Sequence, residues 1–343
     1  MMTSGKMKAL IFPDSLVIDC VETEVPKIGP DEVLAEVRSC GICGSDIGIY
    51  EGTHWIKAHG PGGHGHESGC IAVEVGKNVE GVKPGDHLAR MGACYAQYTK
   101  EVNVVGHGKD EKSGALPIVR NDLTVDEISF ADAVGCALNC AERAELGRIE
   151  GRAPRAVILG LGPIGLLLAQ ILINRGVEVA ASEPFVIKRE LARKWGAKTF
   201  DPREFSGAGG KKKYSEVILE EFGEADAVFE MVGGNDTLLD AVDLVRPGFR
   251  VLVFGAQEMQ HIPYEKCRRK GIEIVYPEAM VNSKDGVDYW NEALNLIAGK
   301  GEKQLDLESL ITKRVTLEEA VDVFKNYDRE KWIKIIVEPW RDE

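Results

Sequence analysis

Cys43-Gly44-Ser45-Asp46 and, after a loop, Gly65-His66-Glu67 bring a thiol, an imidazole and two carboxylates within reach of one small site. Zinc, an ion of borderline softness, suits that mixture of sulfur, nitrogen and oxygen. A structural zinc would want four ligands closed at tight spacing, whereas here two good ligands, Cys43 and His66, stand far apart and need a third from elsewhere in the fold. That is the pattern of an open, catalytic metal site. Gly135-Cys136-Ala137-Leu138-Asn139-Cys140 offers two thiols at i and i+4, which a helix would point the same way. Cysteine also packs as a small buried hydrophobe, and that reading is preferred for Cys20, Cys40, Cys70, Cys94 and Cys267. Cys40 and Cys43 form a Cys-x-x-Cys pair, yet no second pair completes a four-thiolate site and the flanks are not thioredoxin-like. His54, His59 and His64 crowd the loop before His66 and read as solvated or structural, with a proton-relay role for one of them as the functional alternative.

A second chemistry-bearing stretch is Gly160-Leu161-Gly162-Pro163-Ile164-Gly165, which follows the apolar run Ala156-Val157-Ile158-Leu159 and opens a helix-like segment. Alone, Gly-x-Gly-x-x-Gly is weak evidence, but in a strand-turn-helix setting it is a dinucleotide fingerprint. The first glycine permits the tight turn, the second lets the backbone approach a pyrophosphate, and the third lets helix and strand pack closely. Glu183 ends the next strand at the spacing of the acid that binds the adenosine ribose, and its charge repels a 2'-phosphate, so NAD is expected over NADP. Lys188 and Arg189, just beyond, keep NADP as the lesser option. Val232 and Gly255 complete the expected cofactor-binding set.

The elements that must position these groups fall into two kinds. Residues 7 to 39 alternate apolar and polar positions, as in Val33-Leu34-Ala35-Glu36-Val37, with Pro26 and Gly29-Pro30 as turn punctuation, and Cys70 to Gly76 and His87 to Ala89 continue the pattern. Short strands between glycine turns predict a β-barrel. After Asp126 a helix is predicted from Glu127 to Leu146, and from Arg155 apolar strands alternate with helices through Ile272 to Tyr276. That alternation predicts a doubly wound parallel sheet. The final strand, Ile333 to Val337, is expected to rejoin the first domain. The boundaries expected are 1–142 for the catalytic domain, 143–279 for the dinucleotide domain and 280–343 for the returning part.

Composition sets the outer limits. At 343 residues, 44% hydrophobic and 28% charged, the chain is long enough for two ordinary cores and has the balance of a soluble α/β protein. A net charge of -13 argues against a nucleic-acid partner, and Lys211-Lys212-Lys213 reads as a solvated loop. The start of the chain leads straight into a strand with no apolar leader, no run is long enough to span a bilayer, and eight cysteines lack a small secreted framework. A cytoplasmic protein with reduced thiols and no membrane partner is expected.

These motifs together resemble the zinc-dependent medium-chain dehydrogenases, which include alcohol, sorbitol and threonine dehydrogenases. The likeness runs through Cys40 to Asp46, Gly65-His66-Glu67-Ser68-Gly69, Val82-Lys83-Pro84-Gly85-Asp86, the cofactor fingerprint and Val245-Arg246-Pro247-Gly248, and so spans nearly the whole chain. It implies a GroES-like β-barrel catalytic domain beside a Rossmann-type sheet, and reversible oxidation of an alcohol, most plausibly a polyol, sugar or other polar secondary alcohol, by hydride transfer. By the resemblance Cys43, His66 and Cys136 hold zinc, Glu67 lies in or beside the inner shell, Asp46 orients His66, and Ser45 handles the substrate proton. Cys140 is the fallback for the third position, where polyol-type members often carry a glutamate. Two departures stand out. Only Ala89 to Gly92 separate segments between which the family commonly inserts a four-cysteine lobe, so one catalytic and no structural zinc is expected; and Gly48 stands where many members place a relay histidine. A homodimer or homotetramer is expected, partly because the strand at Ile272 to Tyr276 could pair with a partner copy. The competing readings are a simple alcohol or threonine-type dehydrogenase, a zinc-free quinone or enone reductase of the same superfamily, and a non-catalytic dinucleotide-binding protein on the same fold.

Overall fold

The computed structural model describes residues 5–54, 60–89, 91–100, 117–205, 213–255, 261–277, 287–301 and 303–341. The expectations for His59 and for Lys211 and Lys212 lie outside these described residues. The chain divides into two compact units, one of Met1–Asp132, Trp290–Lys300 and Leu307–Glu343, the other of Ala133–Tyr289 and Gly301–Asp306.

The first unit opens with β1 (Lys6–Asp14) and β2 (Val17–Glu24), paired antiparallel, and continues with β3 (Val33–Gly41), α1 (Gly44–Glu51), β4 (Glu67–Val75), β5 (His87–Ala89), β6 (Tyr98–Lys100) and β7 (Ile118–Val119). α2 (Val125–Ser129) follows, then α3 (Ala131–Arg143), of which all but Ala131 and Asp132 belongs to the second unit, so the predicted helix from Glu127 to Leu146 is two helices with a break at Phe130. The earlier start, at Val125, follows from local capping. Thr124 accepts the Glu127 N–H at 3.2 Å while Glu127 reaches back to the Thr124 N–H at 2.8 Å, a reciprocal pair that starts the helix ahead of Glu127.

Later segments return to this unit from Trp290 on: α9 (Tyr289–Ile297), β14 (Ile311–Val315), α10 (Leu317–Lys325) and β15 (Lys334–Val337). The resulting sheet has the order β14-β15-β3-β4-β5-β7, with β6 on β3. β15 runs antiparallel to β3, Val337 opposite Cys40 and Ile336 opposite Gly41. Its core gathers Leu10, Phe12, Val37, Tyr95, Phe324 and Ile335, all buried. Burial of such large side chains contributes about 1.5–3 kcal/mol each before the cost of ordering the chain.

The second unit is a six-stranded parallel sheet built from β8 (Arg155–Leu159), α4 (Pro163–Asn174), β9 (Glu178–Ser182), α5 (Val186–Trp195), β10 (Lys198–Phe200), α6 (Tyr214–Glu221), β11 (Ala225–Glu230), α7 (Asn235–Leu244), β12 (Val245–Val253), α8 (Tyr264–Lys270) and β13 (Glu273–Val275). Strand order is β10-β9-β8-β11-β12-β13, so the direction of winding reverses between β8 and β11. Central strands covered on both faces should read as unbroken apolar runs, and β8 does from Ala156 to Leu159, whereas β11 carries the buried acids Asp226 and Glu230 at either side of Ala227-Val228-Phe229.

Gly69 in β4 shows how tightly the first unit is closed. A Cβ there would overlap the main-chain carbonyl of Val125 at the start of α2, and backbone cannot yield as a flexible side chain can. Gly69→Ala is expected to lower stability by about 1–3 kcal/mol. A change under about 0.5 kcal/mol, the ordinary surface effect, would show in urea denaturation that α2 sits more loosely on β4 than described.

Candidate active site

The pairing of β3 with β4 places Gly41 opposite Glu67. Cys43, two residues beyond the end of β3, and His66, one residue before β4, therefore arrive at the same end of the sheet. A Cβ at Gly41 would overlap Glu67 Oε2, so glycine is what leaves the glutamate its space. The ligand atoms of Cys43, His66 and Glu67 all lie within 4.8 Å of one another. Asp46, His64 and His66 form an overlapping group, but Asp46 Oδ2 already accepts the Cys43 N–H at 2.8 Å and the Tyr95 hydroxyl at 2.6 Å. The first group carries the thiol and is the better metal set.

His66 is aimed by its neighbours. Nδ1 lies 3.7 Å from Asp46 Oδ1, too far for a hydrogen bond, and neither of these buried atoms has a hydrogen-bond partner. Nε2 lies 3.9 Å from Asp132 Oδ2. Burial disfavours charge on the ring, but Asp46, then Cys43 and Asp132, outweigh it and hold the imidazole well above its ordinary pKa. The field at this point favours a cation, and the donor set of sulfur, nitrogen and carboxylate fits zinc. His64 stacks obliquely on His66 with ring centroids 4.5 Å apart. Burial pushes it down, Asp46 opposes, and the nearby His66 and His54 add to the fall.

Two residues here were not singled out from the sequence. Asp132, in the first turn of α3, lies one helical turn before Cys136 on the same side of the helix. Its carboxylate comes to 3.9 Å from His66 Nε2, while Asp132, Cys136 and Cys140 alike fall outside both ligand groups found among the described residues. Burial raises its carboxyl above the ordinary range, with His66 opposing. The available signal was an acid four residues before a favoured cysteine. Lys334 on β15 is the other: it is 3% exposed, bonds Glu67 Oε2 and lies 3.4 Å from Ile42 O. Burial works against its charge, but Glu67 and then Cys43 hold its pKa above the ordinary lysine value. Ser45 sits partly exposed in the first turn of α1. Gly48, in the same helix, is packed by His54, whose Cβ lies 3.5 Å from where a Cβ on Gly48 would be.

In the second unit the glycine-rich turn lies where the winding reverses, the ordinary ligand position of an open α/β sheet. Gly160 has a φ of 100°, a left-handed conformation that glycine adopts freely. Gly162 caps α4, Pro163 occupies its first turn with Ile164 next, and a Cβ on Gly165 would overlap Gly160 O. Glu183 Oε2 accepts the Leu161 N–H at 2.8 Å and Oε1 the Phe185 N–H at 3.2 Å. A carboxylate has further lone pairs, so Glu183 clamps the turn and keeps acceptor capacity. Lys188 Nζ lies 4.0 Å from Glu183 and over the Phe185 ring. Across the reversal, Val232 Cγ2 lies 2.8 Å from the place a Gly160 Cβ would take, and Gly255 packs directly on the Val232-Gly233 main chain. Glu230, fully buried, ties that turn by accepting the Val232 and Gly233 N–H groups. The structure thus brings Gly160, Val232 and Gly255 together at one end of the sheet.

Comparison with known proteins adds the following. Residues 29–126 match the alcohol dehydrogenase GroES-like domain and residues 163–299 the zinc-binding dehydrogenase domain. The chain is 31% identical over 261 residues to an L-threonine 3-dehydrogenase of Pyrococcus horikoshii, covering 69% of this chain and 72% of that one. It is 28% identical over 344 residues to a D-xylulose reductase of Saccharomyces cerevisiae, 93% of each being covered. A zinc-binding dehydrogenase of Sinorhizobium meliloti, solved with NADP, superposes with a TM-score of 0.80 at 23% identity, over 98% of this chain and 100% of that one.

The Lys334–Glu67 pair offers a test of the site's electrostatics. Lys334→Met in chelator-treated protein leaves Glu67 buried without a counter-charge and is expected to cost about 3–5 kcal/mol. Removing both charges together, with Glu67→Leu added, should recover most of that loss, because a well-packed apolar pair can replace a buried ion pair at little cost. Additive losses in denaturant unfolding would show that the two charges do not depend on each other.

Proposed function

Because the chain belongs to the zinc-dependent medium-chain alcohol and polyol dehydrogenases, we propose that it oxidises a polar secondary alcohol reversibly, a polyol or sugar first, with NAD and one catalytic zinc per chain. The observation that carries the metal half of this reading is the meeting of Cys43, His66 and Glu67 within 4.8 Å. Zinc would be held by Cys43 and His66, with Glu67 in or beside that shell; for the third position the reading takes Asp132 ahead of Cys136, supported by its carboxylate 3.9 Å from His66 Nε2, while neither belongs to the group that meets within 4.8 Å.

When bound, zinc supplies the Lewis acidity that makes an alcohol hydroxyl acidic near neutral pH, and the dinucleotide supplies the hydride acceptor. The chain's own residues do the rest. Asp46 fixes the His66 ring, Ser45 takes the hydroxyl proton outward, and His54, packed on Gly48, is the candidate for its onward relay. Lys334 offsets the charge of Glu67, so that the two carboxylates and the thiolate of the shell do not repel a substrate oxygen gaining negative charge. Glu183 both holds the glycine-rich turn and selects against a 2'-phosphate. A hydroxy-amino-acid substrate is the second reading, supported by the threonine dehydrogenase relative. The acidic chain takes a small molecule rather than a nucleic acid and works in the cytoplasm as a homodimer or homotetramer.

A panel of polyols, sugars, threonine and simple alcohols with NAD and NADP tests the reaction; turnover confined to simple aliphatic alcohols, or absent throughout, would overturn it. Metal analysis should give about one zinc per chain. Cys43→Ser should lose most zinc and turnover, and Asp132→Asn should weaken zinc binding about tenfold or more, while Cys136→Ala keeps the metal. Loss of zinc in Cys136→Ala alone would return the third position to the cysteine. Glu183→Ala should weaken NAD about tenfold, near 1.4 kcal/mol, and narrow its preference over NADP; an unchanged cofactor ratio would remove its ribose role.

A further inference from the structure

Tyr95 lies behind the candidate metal site and has no part in the chemistry above. It is fully buried. Its hydroxyl donates to Asp46 Oδ2 at 2.6 Å and also lies 3.3 Å from Gly41 O. A hydroxyl donating to a carboxylate at that distance forms one of the stronger protein hydrogen bonds. Oδ2 also receives the Cys43 N–H, so two donors hold one oxygen of Asp46 while Oδ1, without a hydrogen-bond partner, faces His66 Nδ1 from 3.7 Å. An imidazole that donates from Nδ1 keeps its lone pair on Nε2, the atom on the Asp132 side.

The Tyr95 ring is fixed from separate parts of the chain. Phe12 of β1 and Phe324 of α10 pack on it with centroids 6.2 Å and 5.7 Å away. Its main chain donates to Gly62 O at 3.0 Å and accepts from the Leu10 N–H at 2.8 Å. A Cβ on Gly65, the residue before His66, would lie 2.8 Å from the Tyr95 nitrogen, so the turn that delivers His66 closes directly onto the Tyr95 backbone. A phenylalanine would fill the same space, so the hydroxyl's contribution lies in its bond to Asp46.

We propose that Tyr95 is a positioning residue of the metal site: it locks Asp46 so that the free carboxylate oxygen fixes the tautomer and the aim of His66. This rests on the reading of Cys43, His66 and Asp132 as metal ligands. Tyr95→Phe keeps the ring and removes the bond. Zinc affinity, measured by chelator competition, is expected to fall about 10–100-fold with the thermal midpoint little changed. In cobalt-loaded protein the shifted, exchangeable Nδ1–H resonance of His66 should exchange faster with solvent. Asp46→Ala should lose at least as much affinity, and the double variant no more than Asp46→Ala alone. Wild-type affinity and exchange in Tyr95→Phe, or additive losses in the double variant, would overturn the proposal. If Tyr95→Phe does not fold, fluorotyrosine-labelled wild-type chain takes its place: the Tyr95 fluorine resonance should move on zinc addition and stay still in Asp46→Ala, and an unmoved signal in wild type overturns the proposal. Wild-type zinc affinity in Cys43→Ser is a separate result, one that removes the metal reading itself.

Discussion

The antiparallel register of β3 on β4 is the constraint from which the site follows. With Gly41 opposite Glu67, the chain leaving β3 and the chain entering β4 deliver Cys43 and His66 to the same place. Docking β15 on the other side of β3 then brings Lys334 to Glu67, 267 positions away in sequence. Any slip of that register by one residue would turn every side chain of β4 to the opposite face and separate the ligands. Gly41 and Gly69 protect the register from the two sides, one leaving room for a carboxylate and the other for a carbonyl.

A site built this way concentrates charge where water is scarce. Asp46, Glu67 and Asp132 approach one imidazole and one thiol, and Lys334 is the buried counter-charge supplied by the protein. Buried charges persist only when paired or bound to a metal. The unpartnered atoms facing each other between Asp46 and His66 are of the kind that a metal on Nε2 would draw into a hydrogen bond. In the second unit the same economy appears in Glu183 and Glu230. Each carboxylate takes main-chain N–H groups from a turn that borders the reversal of the sheet, so the acids that shape the dinucleotide end are also its fasteners.

The fold was legible because its signals are local. Glycine turns between short strands, and apolar strands alternating with helices, mark the barrel-like and doubly wound halves, and the placement of Gly160 to Gly165 needed only its own strand and helix. Cys43, His66 and Glu67 were legible as chemistry because few roles suit that mixture of types. Asp132 was not, since an acid in the first turn of a helix is ordinary complementarity to the helix dipole and a nearby thiol looked the better zinc ligand. Lys334 alternates with Ile333 and Ile335 and so reads as the solvent side of a strand, yet all four residues of β15 are buried. Tyr95 could not be read at all, because its partner Asp46 lies 49 positions away. What pattern misses, in each case, is a polar group whose partner is remote.

The account stands on one mixed shell at the end of β3 and β4, and X-ray absorption at the zinc edge of the loaded protein tests it most directly. The shell described here predicts a single sulfur at about 2.3 Å with the remaining neighbours nitrogen or oxygen near 2.0–2.2 Å. Two sulfurs in that shell would place a second cysteine where Asp132 is proposed, and a shell without sulfur would remove Cys43 and contradict the proposed site.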